Sequence, residues 1–118
     1  MVYENIFKER RTHPRKKTCI PIGFEFNDVP CSAHTINMSG TGTFCETNTY
    51  RMPVQTKLKV FLMLPRSSEV INCYGIIVRA EDSHSDIFGT RTNRIAIHFD
   101  GIHKSEVEKI VSHLENIQ

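Results

Sequence analysis

Two short patterns combine residue types that suit an anion and a flat base. The first is Arg11-x-x-x-Arg15, preceded by Arg10. Guanidinium forks make paired, charge-assisted hydrogen bonds to phosphate, and their flat faces stack on aromatic rings. Two of them four residues apart on one arm can approach a single anion from two sides. Pro14 disfavours helix at His13 and limits the conformations of this arm. The second pattern is Asn37-x-Ser39-x-x-Gly42. An amide beside a hydroxyl suits a guanine edge or a phosphate oxygen. Gly40 and Gly42 let the backbone bend and come close to a ligand, and Gly42 leaves room for a flat ring.

Taken singly, the first pattern is an ordinary solvated charge run and the second an ordinary turn composition. Their order, and their separation by one expected strand pair, are more specific. The charge distribution adds to this. Residues 8–17 carry six cations and one anion, net +5, while the rest of the chain holds nine cations and twelve anions, net −3. A basic arm on a neutral-to-acidic body is suited to phosphate, nucleic acid or acidic lipid.

The elements that must position these residues read mainly as strands. Ile20, Ile22, Phe24 and Phe26 recur at period two, with Pro21 and Gly23 opposite. Asn27-Asp28-Val29-Pro30 reads as a turn, Cys31 to Ile36 as a second strand, and Asn37 to Gly42 as a tight polar connection. Thr43 to Glu46 is a short third strand, and Leu58, Val60, Leu62 and Leu64 alternate in a fourth. Val70 to Glu81 is a long strand with Gly75 as its expected bulge or bend, and Asp82 to Thr90 reads as a polar loop. Ile95, Ile97 and Phe99 mark a sixth strand. Ser105 and Glu108 have capping-box spacing, and Val107, Ile110, Val111, Leu114 and Ile117 fall on one helical face. Six short strands and a terminal helix predict a mainly β, closed or nearly closed antiparallel barrel with the helix over an end or a face.

With 118 residues, one domain overall is expected: a basic arm over 1–17 and a barrel with its C-terminal helix over 18–118. No apolar run reaches the length of a membrane span, and Met1 to Lys8 does not read as a secretory signal, so no membrane insertion and a cytoplasmic setting are expected. Cys19, Cys31, Cys45 and Cys73 form no C-x-x-C pair and are expected as free thiols. Neither they nor His13, His34, His84, His98, His103 and His113 cluster at zinc-ligand spacing, so neither a metal nor a cofactor is expected. No Ser/His/Asp or Cys/His arrangement suggests a nucleophile, and an enzyme is not expected.

Glu-Arg-Arg-Thr-His-Pro-Arg, then a strand, then Thr-Ile-Asn-Met-Ser-Gly-Thr-Gly-Thr-Phe resembles the PilZ family's RxxxR followed by (D/N)xSxxG. Lys57 to Pro65, Gly75-Ile-Ile-Val-Arg79 and Arg94-Ile-Ala-Ile-His-Phe99 with the following helix are similar to later parts of the same family, so the likeness covers roughly residues 9–117. It implies a six-stranded antiparallel barrel that binds the bacterial second messenger cyclic di-GMP. It further implies that Arg11 and Arg15 grip phosphates and guanines, with Arg10 as an extra contact. Asn37, Ser39 and Gly42 would meet a guanine edge and its neighbouring phosphate, and Arg79 would lie flat near a base. Asn37 stands where aspartate is commoner, trading a full negative charge for one acceptor and a competing donor, which lowers the expected affinity. The expected function is a cyclic di-GMP receptor that signals to an unidentified effector protein as the arm folds over the ligand. Two alternatives stay open: a PilZ-fold interaction module without ligand, and a nucleic-acid-binding barrel. Against the last, aromatic residues make up only 8% of the chain and mostly occupy core positions.

Overall fold

Period-two alternation turns each strand's apolar side chains to one face, and closing the sheet makes that face the core. The computed structural model describes residues 16–48, 52–65, 69–85 and 90–115. In chain order the elements are β1 Lys16–Lys17, β2 Pro21–Phe26, β3 Val29–Ser39, β4 Gly42–Thr47, β5 Lys57–Met63, β6 Val70–Ser85, β7 Thr90–Asp100 and α1 Lys104–Glu115. Every pairing is antiparallel. Six strands run β3-β2-β5-β6-β7-β4, and β4 returns to β3 to close the barrel. β1 lies end to end with β2 along one edge of β3, with Lys17 opposite Asn37 and Pro21 opposite His34.

The interior is filled by Ile22 and Phe24 of β2, Met38 of β3, Leu58, Val60 and Leu62 of β5, Ile77 of β6, and Ile95, Ile97 and Phe99 of β7. Each such side chain contributes roughly 1.5–3 kcal/mol on burial. α1 completes this core with Ile110 and Leu114, while Val107 and Val111 are half-buried. A Lys109–Glu69 ion pair ties the helix to the segment leading into β6. No described helix is long and apolar enough to cross a membrane.

Five local expectations need correction. The turn between β2 and β3 is only Asn27-Asp28, both at positive φ (51° and 64°), and Val29 and Pro30 already pair as strand. Two left-handed residues match the twist of a two-residue hairpin, and Asn and Asp tolerate that conformation. The polar connection expected over Asn37 to Gly42 shrinks to Gly40-Thr41, because Asn37, Met38 and Ser39 pair with Phe44, Thr43 and Gly42. The bulge expected at Gly75 lies at Val78. Gly75 instead faces inward, where a Cβ would collide with Ile97 Cγ2 and sit 3.0 Å from Val60 Cγ2. The loop expected over Asp82 to Thr90 is largely a ribbon, since β6 and β7 pair out to Ser85 and Thr90, past the end of β4 opposite Asn93. A ribbon beyond the barrel has no core face demanding apolar residues, so its polarity gives no strand signal. Finally, Glu106 N–H and Val107 N–H both donate to His103 O, so α1 starts one residue before Ser105, which falls in its first turn and is not its cap. Ile117 lies outside the described residues.

The four cysteines are free thiols. Burial pushes the Cys45 thiol up to about 12, and burial with the nearby Glu106 carboxylate pushes Cys73 up to about 11. Both are raised from the ordinary 9.0, so the folded state disfavours the thiolates. Their contribution to stability is complete below pH 9.0 and is lost as pH rises towards 11–12. Urea midpoints measured from pH 8 to 11 are therefore expected to fall less steeply for Cys45→Ala than for the parent. Parallel profiles would show that Cys45 does not titrate with unfolding.

Candidate functional site

Two β-bulges create the site. In β3, Thr35 pairs with Cys45 and Asn37 with Phe44, so Ile36 is the extra residue. In β6, Ile77 pairs with Ile97 and Arg79 with Ala96, so Val78 is the extra residue. Unbroken alternation from the inward Thr35 and Ile77 would aim Asn37 and Arg79 into the core. Each bulge shifts the phase by one residue, turning Asn37 and Arg79 outward while Met38 and Ala80 pack on the core.

The result is one transverse outer row, Lys17–Asn37–Phe44–Ala96–Arg79, running across β1, β3, β4, β7 and β6. Side chains of directly paired residues share a face. From Asn37 to Arg79 the row spans three strand spacings, about 14 Å along the barrel wall. Arg79 is exposed, and its guanidinium carbon stands 4.8 Å from the centre of the Phe44 ring. Phe44 is 8% exposed despite facing outward, and its ring lies within cation–π distance of the guanidinium.

Asn37 carries the sharpest signal. Its main-chain oxygen accepts a 2.7 Å bond from Thr43 Oγ1, but its side-chain Oδ1 is buried with no hydrogen-bond partner among the described residues. Such an acceptor costs about 1–3 kcal/mol until a donor reaches it. Ser39 is 4% exposed, and its hydroxyl is engaged in the turn: it accepts from Thr41 N–H at 3.2 Å and lies 3.3 Å from Thr41 Oγ1 and 3.5 Å from Gly42 O. Gly42 has a reason to be glycine that needs no ligand, since a Cβ there would sit 2.6 Å from Ile97 O.

The next outer row is His34–Glu46–Arg94–Glu81. Arg94 Nε donates to Glu46 Oε2 at 3.0 Å, and His34 Nε2 lies 3.7 Å from Glu46 Oε1. Arg94 thus offsets the Glu46 charge in this adjoining row, and Lys17 and Arg79 are the charged members of the Asn37 row. Arg10, Arg11 and Arg15 lie outside the described residues. The described chain begins at Lys16 opposite Met38, so the arm joins the barrel beside Asn37. The structure therefore brings Asn37, Arg79 and the root of the arm to one surface, with Ser39 and Gly42 at the adjoining turn. Phe44 and Lys17 belong to that surface and were not expected there. Phe44 was legible as the residue alternating with inward Thr43 and Cys45, but its pairing with Arg79 depends on the Val78 bulge. Among the described residues no His, Cys, Asp or Glu cluster could hold a metal ion.

The sequence from residue 9 to residue 116 matches the family model described as PilZ domain. No curated protein matches the chain. Solved structures with the same fold include the Bacillus subtilis inhibitor of motility (MotI/DgrA), at TM-score 0.74 and 11% identity over 90% of this chain and 50% of that one. The PilZ domain of YcgR from Escherichia coli, solved with c-di-GMP, gives 0.71 and 12% over 90% and 92%. The K. pneumonia MrkH–c-di-GMP complex gives 0.73 and 17% over 91% and 52%. This chain thus spans about half the length of MotI and MrkH, and at these identities the likeness is one of fold.

Proposed function

The chain belongs to the PilZ domain family, and from that membership we propose that it is a receptor for cyclic di-GMP and not an enzyme. The nucleotide lies between the arm bearing Arg10, Arg11 and Arg15 and the surface formed by Asn37, Ser39, Gly42 and Arg79. The observation that carries this reading is the buried, unpartnered Asn37 Oδ1. A guanine edge supplies N1–H and N2–H₂ donors to such an acceptor, and one bound guanine would remove the cost of leaving it unpaired. Arg79, beside the Phe44 ring, offers a flat cation to a base. The arm arginines meet the two phosphates, and their closure over the nucleotide changes the surface presented to an effector protein. The c-di-GMP complexes of two fold relatives support the ligand assignment.

The test is calorimetric titration of the full chain with cyclic di-GMP, cyclic di-AMP, GTP and single-stranded DNA. Adenine lacks the N1–H and N2–H₂ donors, so cyclic di-AMP is expected to bind at least about tenfold more weakly than cyclic di-GMP. Equal binding of the two cyclic dinucleotides would mean a generic phosphate site. Tighter binding of DNA would favour a nucleic-acid-binding barrel, and no binding at all an interaction module.

A further inference from the structure

Where β1 gives way to β2, the chain carries one residue more than β3 opposite it. Lys17 pairs with Asn37 and Pro21 with His34, so Thr18, Cys19 and Ile20 face only Thr35 and Ile36. The main chain bridges this mismatch at both ends. Thr18 N–H donates to Ile36 O at 3.0 Å, and Thr35 N–H donates to Ile20 O at 2.9 Å. An extra residue disrupts the ladder and leaves a main-chain group in need of another partner. Here Ile20 N–H donates to the Thr35 side chain, at 2.8 Å from Oγ1. Thr18 Oγ1 donates to the same oxygen at 2.6 Å. Thr35 is 1% exposed, so water does not compete for these bonds.

We infer that the Thr35 hydroxyl is a positioning group for ligand capture: by latching the Thr18–Ile20 strap it holds Lys17 opposite Asn37 and fixes the register in which the arginine arm joins the barrel. The inference rests on the receptor reading. β1 has two residues, too few ladder bonds to hold a register unaided. A slip of one residue would turn Lys17 to the opposite face and carry the attached arm with it. Thr35 sits immediately before the Ile36 bulge, so one buried oxygen ties the strap to the point where β3 turns Asn37 outward. Burial alone would favour valine here, and only the hydroxyl accepts both bonds.

Full-length Thr35→Val, Thr35→Ser and Thr18→Val test this, read by calorimetry with cyclic di-GMP and by amide hydrogen exchange at Ile20 without ligand. Thr35→Val is expected to bind about tenfold more weakly and to exchange its Ile20 amide faster. Thr35→Ser, which restores the acceptor, is expected to match the parent in both. Thr18→Val removes one of the two bonds without altering the barrel wall and is expected to weaken binding about threefold. Parent-like affinity in Thr35→Val overturns the inference, as does a Thr35→Ser variant as weak as Thr35→Val, which would mark a packing effect. Should Thr35→Val fail to fold, parent-like affinity and exchange in Thr18→Val overturn it instead. A parent that does not bind cyclic di-GMP overturns the receptor reading and this inference with it, whereas a parent that binds beside an unimpaired Thr35→Val overturns the inference alone.

Discussion

Arg11→Ala and Arg15→Ala are each expected to weaken cyclic di-GMP binding about ten- to a hundredfold. Each removes charge-assisted bonds to phosphate worth roughly 1.5–3 kcal/mol. Both residues precede Lys16, where the described chain begins, and the described core is filled by residues from Ile20 onward. The variants should therefore melt at the parent's temperature, which separates lost contacts from lost fold. Lowering the salt concentration should strengthen parent binding more than variant binding, because exposed charges are screened. Calorimetric titration of both variants decides the assignment: if both bind like the parent, the arm is not the anion-binding element. If both lose affinity equally for cyclic di-GMP and cyclic di-AMP, the arginines read phosphate, and base discrimination belongs to Asn37.

Gly42→Ala is expected to destabilise the protein by about 1–3 kcal/mol even without ligand. The added methyl would sit 2.6 Å from Ile97 O and 3.6 Å from His98 Cα. These are backbone atoms of β7, which cannot rotate aside as a side chain can. β4 must then move away from β7, stretching the Gly42–His98 pairing and the 2.9 Å bond from Phe99 N–H to Thr41 O. Phe44, two residues along β4, shifts with it and disturbs the Asn37–Arg79 row, so binding is expected to weaken as well. Gly23→Ala is the control: the nearest atoms to a Cβ there are 3.9 Å away, and no loss of stability is expected. Denaturant midpoints of ligand-free protein give the answer. A Gly42→Ala variant as stable as the parent but unable to bind would mean that glycine serves only the ligand.

Most of the barrel was legible because its inner wall obeys a strict period. Ile22 and Phe24, then Leu58, Val60 and Leu62, then Ile95, Ile97 and Phe99 alternate without interruption, and all are buried. The helix was legible by the same logic at period 3.6, through Ile110 and Leu114. The misreadings fall where the period is broken or carries no information. Val78 is a β-branched residue in a β-branched run, so nothing in its type marks it as a bulge, whereas Gly75 looks like one and is instead the close-packed inward residue. Asn37 and Ser39 have turn composition yet lie in a strand, because polar residues on an outward face are equally compatible with strand and turn.

What the sequence determined by itself was the chemistry on offer: a +5 arm, an amide and a hydroxyl before a glycine-rich turn, and enough alternating apolar residues for one closed core. What the tertiary structure decided was which of these residues meet. A bulge costs a strand one residue of register but reverses the face of everything after it, and two of them turn Asn37 and Arg79 out of the core and into one row. Asn37–Phe44 comes from consecutive strands β3 and β4 and Arg79–Ala96 from β6 and β7, and the two halves meet only where β4 pairs with β7, so the adjacency of Asn37 and Arg79 depends on barrel closure and not on spacing. Strand pairing likewise decides Gly42, whose side-chain space is taken by the Ile97 carbonyl, and Thr35, whose hydroxyl serves Ile20 N–H where the β1–β2 junction carries one residue more than β3.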